Sequence, residues 1–165
     1  MITYTEKGSG LHEVIRKAGY SLREENGAFV SDNDTAVQSL IDAYSIAQAQ
    51  AYISVNVNAL TEAKFNKAIV GTSAAEMAGW SILRAEQIKY EASGLLTDCP
   101  SIVFEAAVRG LTVPELAAKV KINSIQFDQL RALIAGTSGK HRDAIKQLST
   151  FEGISGYDFT TGWPL

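Results

Sequence analysis

Apolar residues come in short runs over the first 34 or so positions and recur at helical spacing almost without interruption from about Thr35 onward. Ile2-Thr-Tyr-Thr5 has the β-branched and aromatic content of a short strand. Gly8-Ser-Gly10 ends it, and Leu11, Val14, Ile15 and Ala18 then fall on one helical face that closes at Gly19. Tyr20–Glu25 and Ala28–Ser31 flank Asn26-Gly27, a pair that accepts the positive φ of a type I′ turn and so predicts a hairpin.

Ser31-Asp-Asn-Asp34 gathers helix-capping side chains, which predicts a helix start there. Val37, Leu40, Ile41, Tyr44, Ala51 and Val55 then form one stripe, so Tyr52–Val57 is read as helix in spite of its strand-like composition. Leu60 to Val70 continues as helix after a kink placed near Asn58. Ile69-Val-Gly-Thr-Ser73 and Ile134-Ala-Gly-Thr-Ser138 both read as breaks, a Gly ending one helix and a hydroxyl starting the next. Ser73-Ala-Ala-Glu76 and Thr112-Val-Pro-Glu115 match the capping box. Four further helices follow, at about 74–93, 100–109, 113–135 and 138–149.

The expected fold is thus mainly α: a small N-terminal α/β module (strand, helix and hairpin, 1–34), a helical bundle (35–150) and an irregular aromatic tail (151–165) that either packs by its aromatics or awaits a partner. The helix at 113–135 is apolar on two sides. Leu116, Val120, Phe127, Leu130 and Ile134 form one stripe, and Ile122, Ile125 and Leu133 a second. Such a helix is either central in its bundle or covered by another chain. Asn123 falls in phase with the first stripe, either buried to fix register or partly exposed. The helix at 74–93 repeats the pattern more weakly, with Met77, Ala78, Ile82, Ala85 and Ile88 set against Leu83 and Tyr90.

At 165 residues the chain needs no disulfide or metal to hold a core, and its one Cys cannot form an internal bridge. A net charge of −3 argues against a broad phosphate-binding surface. No run approaches the ~20 apolar residues of a membrane span. The opening MITYTEKG lacks the charged-then-apolar pattern of a secretory leader, so synthesis and folding in a cytoplasm are expected.

Candidate chemistry is sparse. Ala135-Gly-Thr-Ser-Gly-Lys-His141 superficially matches a phosphate loop, but Ile134 stands where its first Gly belongs and His141 where a magnesium-binding hydroxyl belongs. A helix–helix turn beside a solvated basic cluster, Lys140, His141 and Arg142, accounts for it. His12 has Glu13 and Glu24 as conceivable acid–base partners, though a local hydrogen bond suffices. Cys99 has no base nearby in sequence and reads as a packed residue. Asp32, Asn33 and Asp34 lack the Gly and Glu of a calcium loop and read as caps. No catalytic, cofactor-binding or metal site is expected.

Three stretches together resemble small proteins encoded beside tail-fibre genes in tailed bacteriophages. The first is Tyr4–Gly8 through His12, Asn26-Gly27 and Ser31–Asp42. The second is Ala75–Trp80 with Ala85-Glu86, Tyr90 and Ala92–Gly94. The third is Glu105-Ala106, Arg109-Gly110, Ile134–Thr137 and Gly139–Asp143, and the closing Trp163-Pro164 is similar to that of tail-fibre assembly proteins. The resemblance implies a non-enzymatic protein that assembles, caps or attaches tail fibres, with a tail-fibre or baseplate protein as partner. It also implies threefold or other homo-oligomeric arrangement, and residence in the host cytoplasm during assembly, as either a transient chaperone or a component retained in the virion tail. Within that reading Tyr157, Phe159, Trp163 and Pro164 form one expected contact patch, and Ile122, Ile125 and Leu133 another. The hairpin offers a further edge, with Tyr20, Leu22, Phe29 and Val30 deciding its buried face. The alternative is a small regulatory protein that binds nucleic acid through the helix pair around Gly136, with Lys140, Arg142 and Lys146 facing phosphate. An enzyme built on His12 or Cys99 ranks behind both.

Overall fold

Helix dominates the computed structural model, which describes residues 2–164. In order the elements are α1 (Ser9–Lys17), β1 (Leu22–Glu25), β2 (Ala28–Ser31), α2 (Asp34–Ala43), α3 (Ile46–Ala68) and α4 (Ala74–Ser93), then a 3₁₀ turn (Leu96–Asp98), α5 (Pro100–Arg109), α6 (Val113–Gln147) and α7 (Phe151–Ser155). The fold class is the expected one, mainly α with one small antiparallel hairpin near the N-terminus.

The hairpin closes as its turn chemistry requires, with Asn26 at φ 53° and Gly27 at φ 78°, and Leu22 opposite Ser31. The strand expected at Ile2–Thr5 shrinks to one antiparallel bridge between Ile2 and Phe29. Asn33 caps α2 by accepting from the Ala36 amide, and Asp32 and Asp34 accept from Ser21 and Ser31, so this acidic cluster is spent on turns.

Two boundaries differ from the expected ones. The break between the second and third helices lies at Tyr44-Ser45, and Asn58 sits inside α3 with no kink assigned to it. Ser45-Ile-Ala-Gln48 is itself a capping box: Gln48 Oε1 accepts from the Ser45 amide at 2.8 Å, and Ser45 Oγ accepts from the Gln48 amide at 3.3 Å. The break resets the helical phase. Ala49, Ile53 and Val57 turn inward, while the expected Ala51 and Val55 face out.

The second difference is larger. The helices expected at 113–135 and 138–149 are one helix, α6, and Gly136-Thr-Ser-Gly139 lies within it. Its twin, Gly71-Thr-Ser73, does break the chain: Gly71 has φ 86° and Ser73 closes a capping box with Glu76. Three residues after Ser138 stands His141, which cannot complete such a box. Instead Ile134, Ser138, His141 and Ile145 are all buried at spacings of four, three and four, so the helical phase runs through the glycines.

The chain divides into two units. Among the described residues the first comprises 2–63 with 135–163, and its core joins Leu11 and Ile15 of α1, Val37 and Ile41 of α2, Ile53 and Val57 of α3, Ile145 of α6 and Ile154 of α7. This one core draws on all three expected segments, 1–34, 35–150 and 151–165. Close packing here is visible at Gly10, where a Cβ would overlap the Tyr44 hydroxyl and come within 2.9 Å of Tyr52 Cγ. Lys7 donates to the Ile41 and Tyr44 carbonyls at 2.6 and 3.1 Å, capping the end of α2, and lies 5.2 Å from the Phe151 ring centroid.

The second unit, residues 64–134, is built on α4, α5 and most of α6. Its buried cluster is small: Cys99, Ile102, Ala106, Leu116 and Ala117. Glu86, buried on α4, accepts from Ser101 Oγ at 2.8 Å and from the Ile102 amide at 3.1 Å. It thereby serves a free N–H of the first turn of α5, where Pro100 supplies none.

Candidate protein-interaction surfaces

The second unit leaves more large apolar side chains outside than it buries. Among the described residues Val70, Ile82, Ile88, Leu95, Leu96, Phe104, Val108, Ile122, Ile125 and Leu133 are all about half or more exposed, against a core cluster of five. On α5, Phe104 and Val108 lie one turn apart and are 74% and 89% exposed. On α6, Ile122, Ile125 and Leu133 form the expected second stripe and are all exposed, while Leu116, Phe127 and Ile134 of the first stripe are buried or half-buried. Asn123 is exposed, so it fixes no register within this chain. On α4 the apolar weight points outward: Ile82 and Ile88 are exposed, and Leu83, Glu86, Gln87 and Tyr90 face in.

Beside these ridges runs a groove of about 1110 Å³ between α4, α5 and α6. Trp80 and Leu83 from α4 and Leu116, Val120 and Phe127 from α6 give it an apolar floor. Trp80 meets Phe127 edge-on at 5.2 Å, and Phe65 meets the same ring at 5.9 Å. Its carboxylates are already engaged. Asp128 pairs with Arg84, Glu105 pairs with Arg109, and Glu76 accepts from the Ser73 amide, which holds its carboxyl below the usual range.

The tail packs by its aromatics, the first of its two expected states. Phe151 begins the short helix α7, whose N-cap is Thr150. Tyr157, Phe159 and Trp163 pack against the first unit's core, and Pro164 is half-buried. His141, expected in a solvated cluster, is buried and anchors the tail. The Thr161 carbonyl can only accept, so His141 Nε2 carries the proton and donates to it at 3.0 Å. His141 Nδ1 then accepts from the Tyr157 hydroxyl at 2.8 Å, and the Trp163 ring stacks on the imidazole at 5.6 Å. Trp163 Nε1 donates to the Phe159 carbonyl at 2.8 Å, so the tail's polar groups are largely satisfied within the chain. Burial, with Asp158 beside it, pushes the Tyr157 phenol up.

His12 pairs with neither Glu13 nor Glu24. Its Nε2 lies 2.9 Å from the Tyr4 hydroxyl, which also reaches Glu6 at 3.1 Å, while Arg16 and Lys17 occupy Glu13. Burial, then Glu6, raises the Tyr4 phenol to about 12, far from a base at neutral pH. Cys99 is fully buried, and burial, then Glu86 and Asp98, pushes its thiol up, the reverse of an activated nucleophile. Among the described residues no group of three or more His, Cys, Asp and Glu gathers as a metal would require. No described helix is long and apolar enough to cross a membrane. The helix pair around Gly136 does not exist, so the nucleic-acid alternative loses the element on which it was drawn. No protein-family model, curated protein or solved structure matches this chain.

Proposed function

We propose that this chain is a non-enzymatic tail-fibre-associated protein of a tailed bacteriophage, which assembles, caps or attaches fibres through protein–protein contact. The observation that carries the contact part is the apolar surface of residues 64–134, which exposes Phe104, Val108, Ile122, Ile125 and Leu133 on two helices. Exposed apolar patches of this kind mark interaction sites. The phage part rests on the sequence resemblance. The contact surface is assigned to α5 and α6, because Tyr157, Phe159 and Trp163 already serve the chain's own core.

Co-expression with the tail fibre of the same phage, followed by size-exclusion with light scattering, tests the reading. A stable complex is expected, and replacing Ile122, Ile125 and Leu133 together by Ser weakens it at least ~10-fold. A wild-type chain that ignores the fibre overturns the proposal. Mass spectrometry of purified virions then separates a transient assembly factor from a permanent tail component.

A further inference from the structure

The groove between α4, α5 and α6 shares Ile82 with the exposed ridges, but its chemistry specifies an occupant more closely than they do. We propose that it receives an amphipathic helix of a partner protein, apolar on one face and flanked by carboxylates. This deepens the reading of the chain as a protein that binds another protein.

Shape and charge support the assignment. The groove follows α6 from Leu116 to Arg131, about 22 Å or four helical turns. Its walls are helices, whose backbone groups are satisfied internally, so they offer no edge for an extended strand to pair with. An entering strand would leave its own N–H and C=O groups unpaired against Trp80 and Phe127, whereas a helix brings its hydrogen bonds with it.

Charge complementarity fixes the sign of the flanks. Each carboxylate lining the groove is held by a group of this chain: Glu76 by Ser73, Glu105 by Arg109 and Asp128 by Arg84. Two lining cations, Lys119 and Arg131, make no ion pair among the described residues and are exposed. Lys119 lies near the Glu115 carboxylate, which already accepts from Thr112. The two cations are twelve residues apart, near opposite ends of the groove, which suits a helix bearing carboxylates at both ends of its apolar stripe.

The test uses two fluorescein-labelled synthetic helices of about four turns, one with a Leu stripe flanked by Glu and the other identical but for Lys in place of Glu. Fluorescence anisotropy is read against the full chain and against the double variant Lys119→Glu, Arg131→Glu, whose positions are exposed and whose helicity is checked by circular dichroism. The Glu helix is expected to bind the wild-type chain and to lose about 10-fold or more in affinity for the double variant, which in turn prefers the Lys helix. Equal binding of both helices to both chains, or binding of neither, overturns the proposal. So does a wild-type dimer that the double variant abolishes, since a second copy then fills the groove. Because the synthetic helix replaces the fibre, a failed fibre co-expression leaves this outcome unaffected.

Discussion

His141 shows how a single side chain can change the meaning of its neighbourhood. In sequence it sits between Lys140 and Arg142 and reads as part of a basic, solvated cluster. In the fold it alone of the three is buried, with both ring nitrogens engaged and Trp163 stacked on its face. Replacing it by Ala leaves the Tyr157 hydroxyl and the Thr161 carbonyl without their partner and opens a void beneath Trp163. His141→Ala is therefore expected to cost about 2–4 kcal/mol of stability. Lys140→Ala and Arg142→Ala, both at exposed positions, are expected to stay within about 0.5 kcal/mol of wild type. Urea denaturation of the three variants checks this, and three similar small changes would remove His141 from its anchoring role.

At the scale of elements, local chemistry decided most boundaries, and the misreadings have identifiable causes. The Asn26-Gly27 turn and the boxes at Ser73–Glu76 and Thr112–Glu115 were legible because each depends on residues within a few positions of one another. The box at Ser45–Gln48 is equally local but is masked by the periodicity of Val37, Leu40, Ile41, Tyr44, Ala51 and Val55, which spans it. The continuity of α6 was hidden for a different reason: Ser138 and His141 count as polar in any periodicity, and only the fold reveals that one bonds Thr61 and the other the tail. The candidate interaction surfaces divide in the same way. Ile122, Ile125 and Leu133 were visible as surplus apolar positions, while the groove depends on how α4, α5 and α6 meet, which spacing alone does not encode. The glycines of α6 give a test by sign. Neither Gly136 nor Gly139 has a positive φ, and a Cβ at either meets nothing within 4 Å. Gly136→Ala and Gly139→Ala should each raise stability by about 0.5–1 kcal/mol, as expected for glycines in a helix interior. In a turn with left-handed glycines both would be destabilising, so thermal unfolding of the two variants distinguishes one helix from two.

At the scale of the whole molecule the two units differ in how well each pays for its own order. The first unit gathers eleven buried residues into its cluster, with Lys7 and His141 tying distant segments together, whereas the second gathers five and leaves Phe104 and Val108 in solvent. Local opening free energy follows buried apolar contact. In hydrogen exchange on the isolated chain, amides of α4 and α5 are therefore expected to exchange faster than those of α1 and α2, although α4 and α5 carry well-formed caps at Ser73, Gly94 and Gly110. The caps fix where these helices start and stop; they contribute little to holding them against a core of this size. Under the proposed function a partner seated on α5 and α6 supplies what the core lacks, by removing Phe104, Val108 and Ile122 from water. Protection in α4 and α5 should then rise on complex formation, by at least ~10-fold, while α1 and α2 change little. Uniform protection across both units of the isolated chain would mean that the second unit is self-sufficient and that its exposed apolar faces are not held open for a partner.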